Sequence, residues 1–459
     1  MTELDARSGR VGPGRRALLL GAGATAGTLL LGQGTASAGT ASAGIAGPAA
    51  AHGCAAATRW LDASYDVVAA QGLTPPTAAR TYAGVCIAAY EALLGGMPLH
   101  RTLQGQLTGL GGLPAPAAGL HWPSVLGSAA AAVLRGLLPA LSATGGQVLR
   151  EAERRDDEDA RSAGVPPRRL ALSRAHGAAV ARGVLAWFAT DGSAQAGARP
   201  YTPPVGPGLW VPTPPNFGTA IEPHCAELRP MVLRTTDEVA PVAPVPFSTV
   251  AGSPFWREAS TTYEQSRRNG DEERDLARFW TDNPLFSGLP AGHWLQIVVQ
   301  VAEQRQLRLD ATVEALARTA VTLHDAFLNC WTHKYRYNLL RPVTYVQAHL
   351  DGAWTTWVNT PQFPEHTSGH SVASRAASTV LTDLLGTGAF DDTARSTTVG
   401  ITRRTRRWAD FTTAADAAAQ SRLYGGIHFP HGIEAGKAQG DAVGRLVIAR
   451  LRTRRSRLR

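Results

Sequence analysis

Apolar residues along this chain recur at three- and four-residue steps and not in alternation, the spacing that places them on one face of an α-helix. In the first half the pattern predicts helices over residues 58–71, 75–94, 123–137 and 175–188. The second of these is the best punctuated. Thr74 stands where a cap belongs, Pro75 and Pro76 fall in the first turn, where a missing N–H costs nothing, and Gly95-Gly96 stops it. Residues 199–254 break the pattern. Prolines crowd this stretch from Arg199-Pro200 through Pro214-Pro215, and it also carries Trp210. So many large apolar groups suit an ordered wrapping loop better than a flexible linker. Helical spacing resumes near Phe255. With no fixed-period repeat and no hairpin signal, an all-α fold is predicted. Its parts are an N-terminal helical half at 44–198, the Pro-rich connection at 199–254 and a C-terminal helical half at 255–449.

Composition changes this picture little. The 459 residues are 44% hydrophobic and 18% charged, which suits a folded chain with a large core. The formal charge of +9 would suggest an acidic partner, but much of the excess sits in a basic tail at 450–459 and in the cluster Arg403, Arg404, Arg406 and Arg407. Such runs are ordinarily solvated tails or faces, and no aromatic residues interleave them as a single-strand binder requires. Nucleic acid is therefore not an expected partner.

The first 43 residues read as an export signal. Arg15-Arg16 precedes a weakly apolar, Ala- and Gly-rich run over 17–32, followed by small-residue sites at Ala36-Ser37-Ala38 and Ala41-Ser42-Ala43. The paired arginines resemble a twin-arginine signal, so an exported, extracellular protein is expected. No later stretch has the length of a membrane span. Four cysteines (Cys54, Cys86, Cys225, Cys330) are too far apart for a zinc site. Up to two disulfides are open to an exported chain, and free buried thiols fit the spacing equally.

The candidate chemistry lies in three short segments of the last third. In the first, Val313, Leu316, Ala320, Leu323, Phe327, Trp331 and Lys334 share one stripe of a helix predicted over 310–334, so Lys334 falls on its buried side. Arg341 follows two turns later and precedes Pro342, which disfavours α geometry at Arg341 and is expected to end the helix. In the second, Thr367 or Ser368 is placed to cap an apolar helical run ending at Leu385-Gly386. That leaves backbone amides and the positive helix end facing outward beside Gly369 and His370. In the third, Arg422 lies near a helix end marked by Gly425-Gly426, and His428 follows before Phe429-Pro430. Each segment alone reads as ordinary capping or surface charge. Together they supply three cations, a hydroxyl, a backbone donor and two imidazoles, an inventory that a core does not bury without an anion.

The set Lys334, six residues, Arg341-Pro342; Ser368-Gly369-His370; and Ser421-Arg422, five residues, His428 resembles the tripartite signature shared by vanadium-dependent haloperoxidases and type-2 phosphatidic acid phosphatases. Residues 208–215, 277–280, 325–331, 335–343, 363–371 and 425–430 are similar to the bacterial haloperoxidase branch, so the resemblance spans most of the chain after residue 43. It implies helical bundles and one vanadate. Lys334, Arg341, Ser368, Gly369 and Arg422 would hold the vanadate oxygens, His428 would bind the vanadium, and His370 would act as acid and base. The implied reaction is a haloperoxidase's: hydrogen peroxide oxidises a halide, chloride or bromide, which halogenates a small organic acceptor. The same cradle also suits a phosphoryl-transfer transition state. An acid phosphatase working through phospho-His428 is thus a second reading. A vanadate-dependent rearrangement without net halogenation and a noncatalytic anion binder are further ones, and a homodimer is left open.

Two positions depart from the family pattern. Thr367 stands where proline is frequent, and Gly432 stands where an aspartate often supports the metal-binding histidine. Losing that carboxylate would weaken the imidazole as ligand or nucleophile, and Glu434 is the nearby candidate to replace it. Trp331 and Phe363 match apolar residues beside the halide in chloroperoxidase-type members, which leans toward chloride; as plain core aromatics they would look the same in sequence.

Overall fold

The structure is a computed structural model and describes residues 47–455. The expected export signal lies outside these residues. Five long helices make up the first half: α1 (Ala55–Gln71), α2 (Pro75–Leu93), α3 (Trp122–Leu137), α4 (Ala143–Ser162) and α5 (Pro167–Phe188), followed by the short α6 (Ser193–Ala198). The second half holds α7 (Pro254–Arg268), α8 (Asp271–Phe279), α9 (Leu289–Gln304), α10 (Leu309–Tyr337), α11 (Pro342–His349) and α12 (Gly369–Leu385). A two-stranded ribbon, β1 (Phe390–Thr393) and β2 (Thr405–Trp408), precedes α13 (Phe411–Tyr424) and α14 (Pro430–Arg450). The all-α expectation is met. Among the described residues no helix is long and apolar enough to cross a membrane.

Helix α10 joins the two halves, packing on α2 on one side and on α12 on the other. It is not a one-stripe helix: nearly every residue from Leu309 to Lys334 is buried. Its polar positions are matched instead of exposed. The Asp325 carboxylate accepts the backbone N–H groups of Met231, Val232 and Leu233 at 2.7–2.8 Å, tying the Pro-rich connection to the helix. Glu314 accepts from Thr453 at 2.6 Å and from Arg454 at 2.6 Å. The basic run after α14 therefore lies against the body as far as Arg455, with Leu451 and Thr453 buried, because a buried carboxylate needs these partners.

Two elements escaped the periodicity. Half of the residues of helix α4 are charged, and it buries only Gly145, Leu149, Ala152 and Ala160. It is held by its acids: Asp156 accepts from Trp60 Nε1 at 2.6 Å and from Arg59 at 2.5 Å. The ribbon gave no hairpin signal because its inward positions are Phe390 and Asp392 on β1, opposite Trp408 and Arg406 on β2. Two of those four are charged, so apolar alternation is absent. Pro342 does not end α10, contrary to expectation. Asn338, at φ +48°, closes that helix, and Pro342 opens α11 with Arg341 as its N-cap residue. All four cysteines are free thiols.

Helix α14 crosses α12 at close range through Gly436, Gly440 and Gly444, one per turn. A Cβ on Gly436 would stand 2.9 Å from Ser371 Cβ and 3.0 Å from the Ser368 carbonyl oxygen, closer than side chains tolerate. This approach sets the start of α14 beside the N-terminus of α12.

Candidate active site

The three segments meet where α10 ends, α12 begins and α13 gives way to α14. Lys334, Arg341, Ser368, Gly369, Arg422 and His428 are all buried. Lys334 Nζ donates to the carbonyls of Pro364 and Glu365 at 3.0 and 2.8 Å. Arg341 Nε donates to the Phe363 carbonyl and Nη1 to the Ile427 carbonyl, both at 2.8 Å. Nη1 also lies 3.2 Å from His428 Nε2, while Nη2 is buried with no partner among the described residues. Ser368, and not Thr367, caps α12, its Oγ accepting from Ser371 N–H; Thr367 Oγ1 instead donates to Gln439 at 2.5 Å. Arg422 is oriented by Ser421 Oγ and by the Ala277 carbonyl at the end of α8, each at 2.9 Å. His370 keeps partial exposure, and its Nε2 faces Asp282 Oδ2 at 3.8 Å.

Trp331 and Phe363 also come together, ring centroids 4.6 Å apart. Lys334 Nζ lies 5.0 Å from the Phe363 ring centre and Arg341 Cζ 4.8 Å from it. The rings therefore form an apolar wall facing two cations.

Burial strips water from this cluster and works against its charges. It pushes Lys334 down toward neutrality, and it lowers Arg341 and Arg422 to about 10, still charged at neutral pH. His370 is lowered to about 4, by burial first and then by Arg422. His428 falls well below the ordinary histidine range through burial, then Arg341 and Lys334. His428 is therefore a neutral imidazole. Its Nδ1–H donates to Glu365 Oε1 at 2.7 Å, which leaves the Nε2 lone pair facing the cations.

Comparison with known structures adds a lineage to this geometry. A bacterial vanadium-dependent iodoperoxidase superposes with a TM-score of 0.81 at 33% identity, covering 88% of this chain and 98% of that one. The chain belongs to the vanadium-dependent haloperoxidase family. A model of the second helical-bundle domain of VCPO matches residues 314–456. Holo and apo forms of a bacterial vanadium-dependent chloroperoxidase share the fold, with TM-scores of 0.61 and 0.63 at 18% and 17% identity. Each covers 82% of this chain and 93% of its own. No curated protein sequence matches significantly.

Within this haloperoxidase framework the missing aspartate at position 432 has an answer that sequence reading missed. The supporting carboxylate comes from Glu365, two residues after Phe363, whose Oε1 also accepts the Phe429 backbone N–H at 3.1 Å. A Cβ at Gly432 would overlap this carboxylate, so the glycine is what admits it. Glu434, the candidate that the sequence offered, pairs instead with Lys437 at 2.9 Å on the surface. Asp282 was missed as well. It lies in the loop between α8 and α9, far in sequence from every motif, and no spacing rule points to it. The Glu365 signal was present as the pairing of an acid beside the histidine-rich segment with a glycine where an acid was due.

The donor set suits an oxyanion. Lys334 and Arg341 face the single carboxylate of Glu365, and Arg422 faces Asp282, which His293 already neutralises from behind. Cationic hydrogen-bond capacity thus exceeds its internal partners, with Arg341 Nη2 left over. That excess is what a multiply charged tetrahedral oxyanion would take up.

Proposed function

We propose that this chain is a vanadate-dependent haloperoxidase that uses hydrogen peroxide to oxidise halide for transfer to a small organic acceptor. The observation that carries the reading is the neutral His428 Nε2 set among Lys334, Arg341 and Arg422, with an unpartnered guanidinium nitrogen beside it. Lys334, Arg341 and Arg422, with Ser368 and the Gly369 N–H, would hold the vanadate oxygens, and His428 Nε2 would give the one bond to vanadium. When bound, vanadate supplies a Lewis-acidic centre that activates peroxide toward halide without changing its own oxidation state.

The protein's own contribution is positioning and proton control. Glu365 fixes the tautomer of His428 with Nδ1 protonated and Nε2 free. His370 turns one nitrogen toward Asp282, which leaves Nδ1 to take a proton from the peroxide and return it to the leaving oxygen. Lys334, pushed toward neutrality by burial alone, would be kept protonated by an oxyanion in the cradle and would place a positive charge where negative charge builds during oxygen transfer. Trp331 and Phe363 exclude water from the halide's approach, lowering the cost of desolvating it.

Iodide gives up electrons more readily than bromide, and bromide more readily than chloride. The relative at 33% identity is described as an iodoperoxidase, and we propose iodide as the halide oxidised most readily. Chloride oxidation, toward which the aromatic wall leans, is the demanding test of the site. Metal-free protein assayed with monochlorodimedone, peroxide and each halide should halogenate when orthovanadate is restored. Iodide is followed separately as triiodide. Hydrolysis of phosphomonoesters without any halide oxidation would overturn the reading. One observation favours that phosphatase alternative: the Glu365–His428 pair would also support a histidine nucleophile. Export of the chain through its twin-arginine-like segment is proposed on sequence grounds.

A further inference from the structure

Behind Asp282, which faces His370, stand two buried polar side chains, His293 and Asp392, that the proposed reaction does not use. Asp282 has a positive φ of +45° and is fully buried in its loop. Its Oδ2 faces His370 Nε2 at 3.8 Å, too far for that contact alone to hold it. Its other neighbour is close: His293 Nδ1, on α9, lies 3.0 Å from Oδ2 and 3.2 Å from Oδ1. The opposite edge of the same imidazole, Nε2, stands 3.4 Å from Asp392 Oδ1 on β1. Asp392 is oriented in turn by Trp408 Nε1 of β2 at 3.1 Å. The ring cannot swing, because Trp280 stacks on it at 4.2 Å with 21° between planes and Phe279 packs at 5.4 Å.

We infer that His293, clamped between Asp282 and Asp392, is a positioning residue that fixes the Asp282 carboxylate against His370, and that the β1–β2 ribbon acts in the site by supplying Asp392. The geometry has one consequence that an ordinary core ion pair lacks. Toward the site His293 makes its polar contact through Asp282, while its charge also reaches His370 directly and keeps that imidazole neutral. Removing it leaves two buried carboxylates without the cation between them, and Asp282 is then free to turn toward Arg422, its remaining cationic neighbour. The inference rests on His370 being the proton-handling group.

The test is a double-mutant cycle. His293→Leu should lower kcat for halide oxidation about tenfold. Vanadate affinity by equilibrium dialysis and KM for peroxide should stay within about twofold. His293→Asn, which keeps a donor toward Asp282, should recover part of the loss. In an Asp282→Asn background the His293→Leu change should add less than about threefold, because the pathway is already cut. Additive losses in the cycle, or vanadate affinity falling in step with kcat, would overturn the inference. A crystal structure of the variant decides the matter independently of activity. His370 and Asp282 should turn apart, and finding both unmoved to within about 0.5 Å would refute a positioning role. If His293→Leu fails to fold, His293→Asn and Asp392→Asn carry the same measurements. If the wild-type protein shows no vanadate-restored oxidation, the functional proposal fails, while the crystallographic arm still decides this one.

Discussion

Glu365 occupies the space that a side chain at Gly432 would need, and uses it to accept the Nδ1 proton of His428 at 2.7 Å. The two positions are therefore one feature: a glycine on α14 opens room for a carboxylate delivered by the loop before α12. Gly432→Ala should displace Glu365 and weaken vanadate binding, although alanine favours a helix by about 1 kcal/mol. Glu365→Ala should weaken it about 10- to 100-fold, the usual cost of losing such a partner, whereas Glu365→Gln retains an acceptor and should lose less. Equilibrium dialysis with vanadate measures all three, and unchanged affinity in Glu365→Ala would contradict the assignment.

The two imidazoles should separate by function. His428→Ala is expected to abolish vanadate binding. His370→Ala should bind vanadate but lose at least about 100-fold in turnover, the ordinary scale of general acid–base catalysis. Dialysis and steady-state halogenation, run on the same preparations, check both. Equal vanadate affinity in His428→Ala would exchange or cancel the roles.

Stability at alkaline pH should depend on His293. Burial pushes its pKa down, but Asp282 and then Asp392 outweigh this and raise it to about 10. A folded-state pKa above the unfolded value contributes stability that is complete below about pH 6.5 and lost as pH rises through about 10. The wild-type melting temperature should fall across that window. The fall should flatten in His293→Gln, which has no proton to lose, and an identical slope in the variant would refute the prediction.

Acid should act at the other end of the molecule. Burial alone would raise Glu314, but hydrogen bonds from His100, Arg454 and Thr453 hold it down to about 2. This pair network stabilises the fold above about pH 4.5 and is lost as pH falls toward 2. Glu314→Gln should cost about 1–3 kcal/mol at neutral pH and blunt the acid limb of a denaturation profile. Hydrogen exchange should show residues 451–455 losing protection in the variant.

The divide between what was legible and what was not follows the range of the interactions. Helices α1, α2, α3, α5 and α10 were readable because local apolar periodicity, with prolines in the first turns of α2, α3 and α5, carries the information within one segment; Thr74 precedes α2 but makes no side-chain cap. Helix α4 and the ribbon were not, since their stability comes from Arg59, Trp60 and inward charges that no window contains. Lys334, Arg341, Ser368, Gly369, His370, Arg422 and His428 were each identifiable as chemistry-bearing because their spacing repeats a family signature. Their convergence could be expected but not located.

By itself the sequence determined the helical class, the punctuation of the main helices and the inventory of cations and imidazoles. Tertiary structure decided which carboxylate serves which histidine. Glu365, not Glu434, reaches His428, and Asp282 reaches His370 with His293 and Asp392 behind it. The reason is physical. Propensity and periodicity act over a few residues, while the partner of a buried charge is chosen by proximity and desolvation among segments distant in the chain, and only folding brings those together.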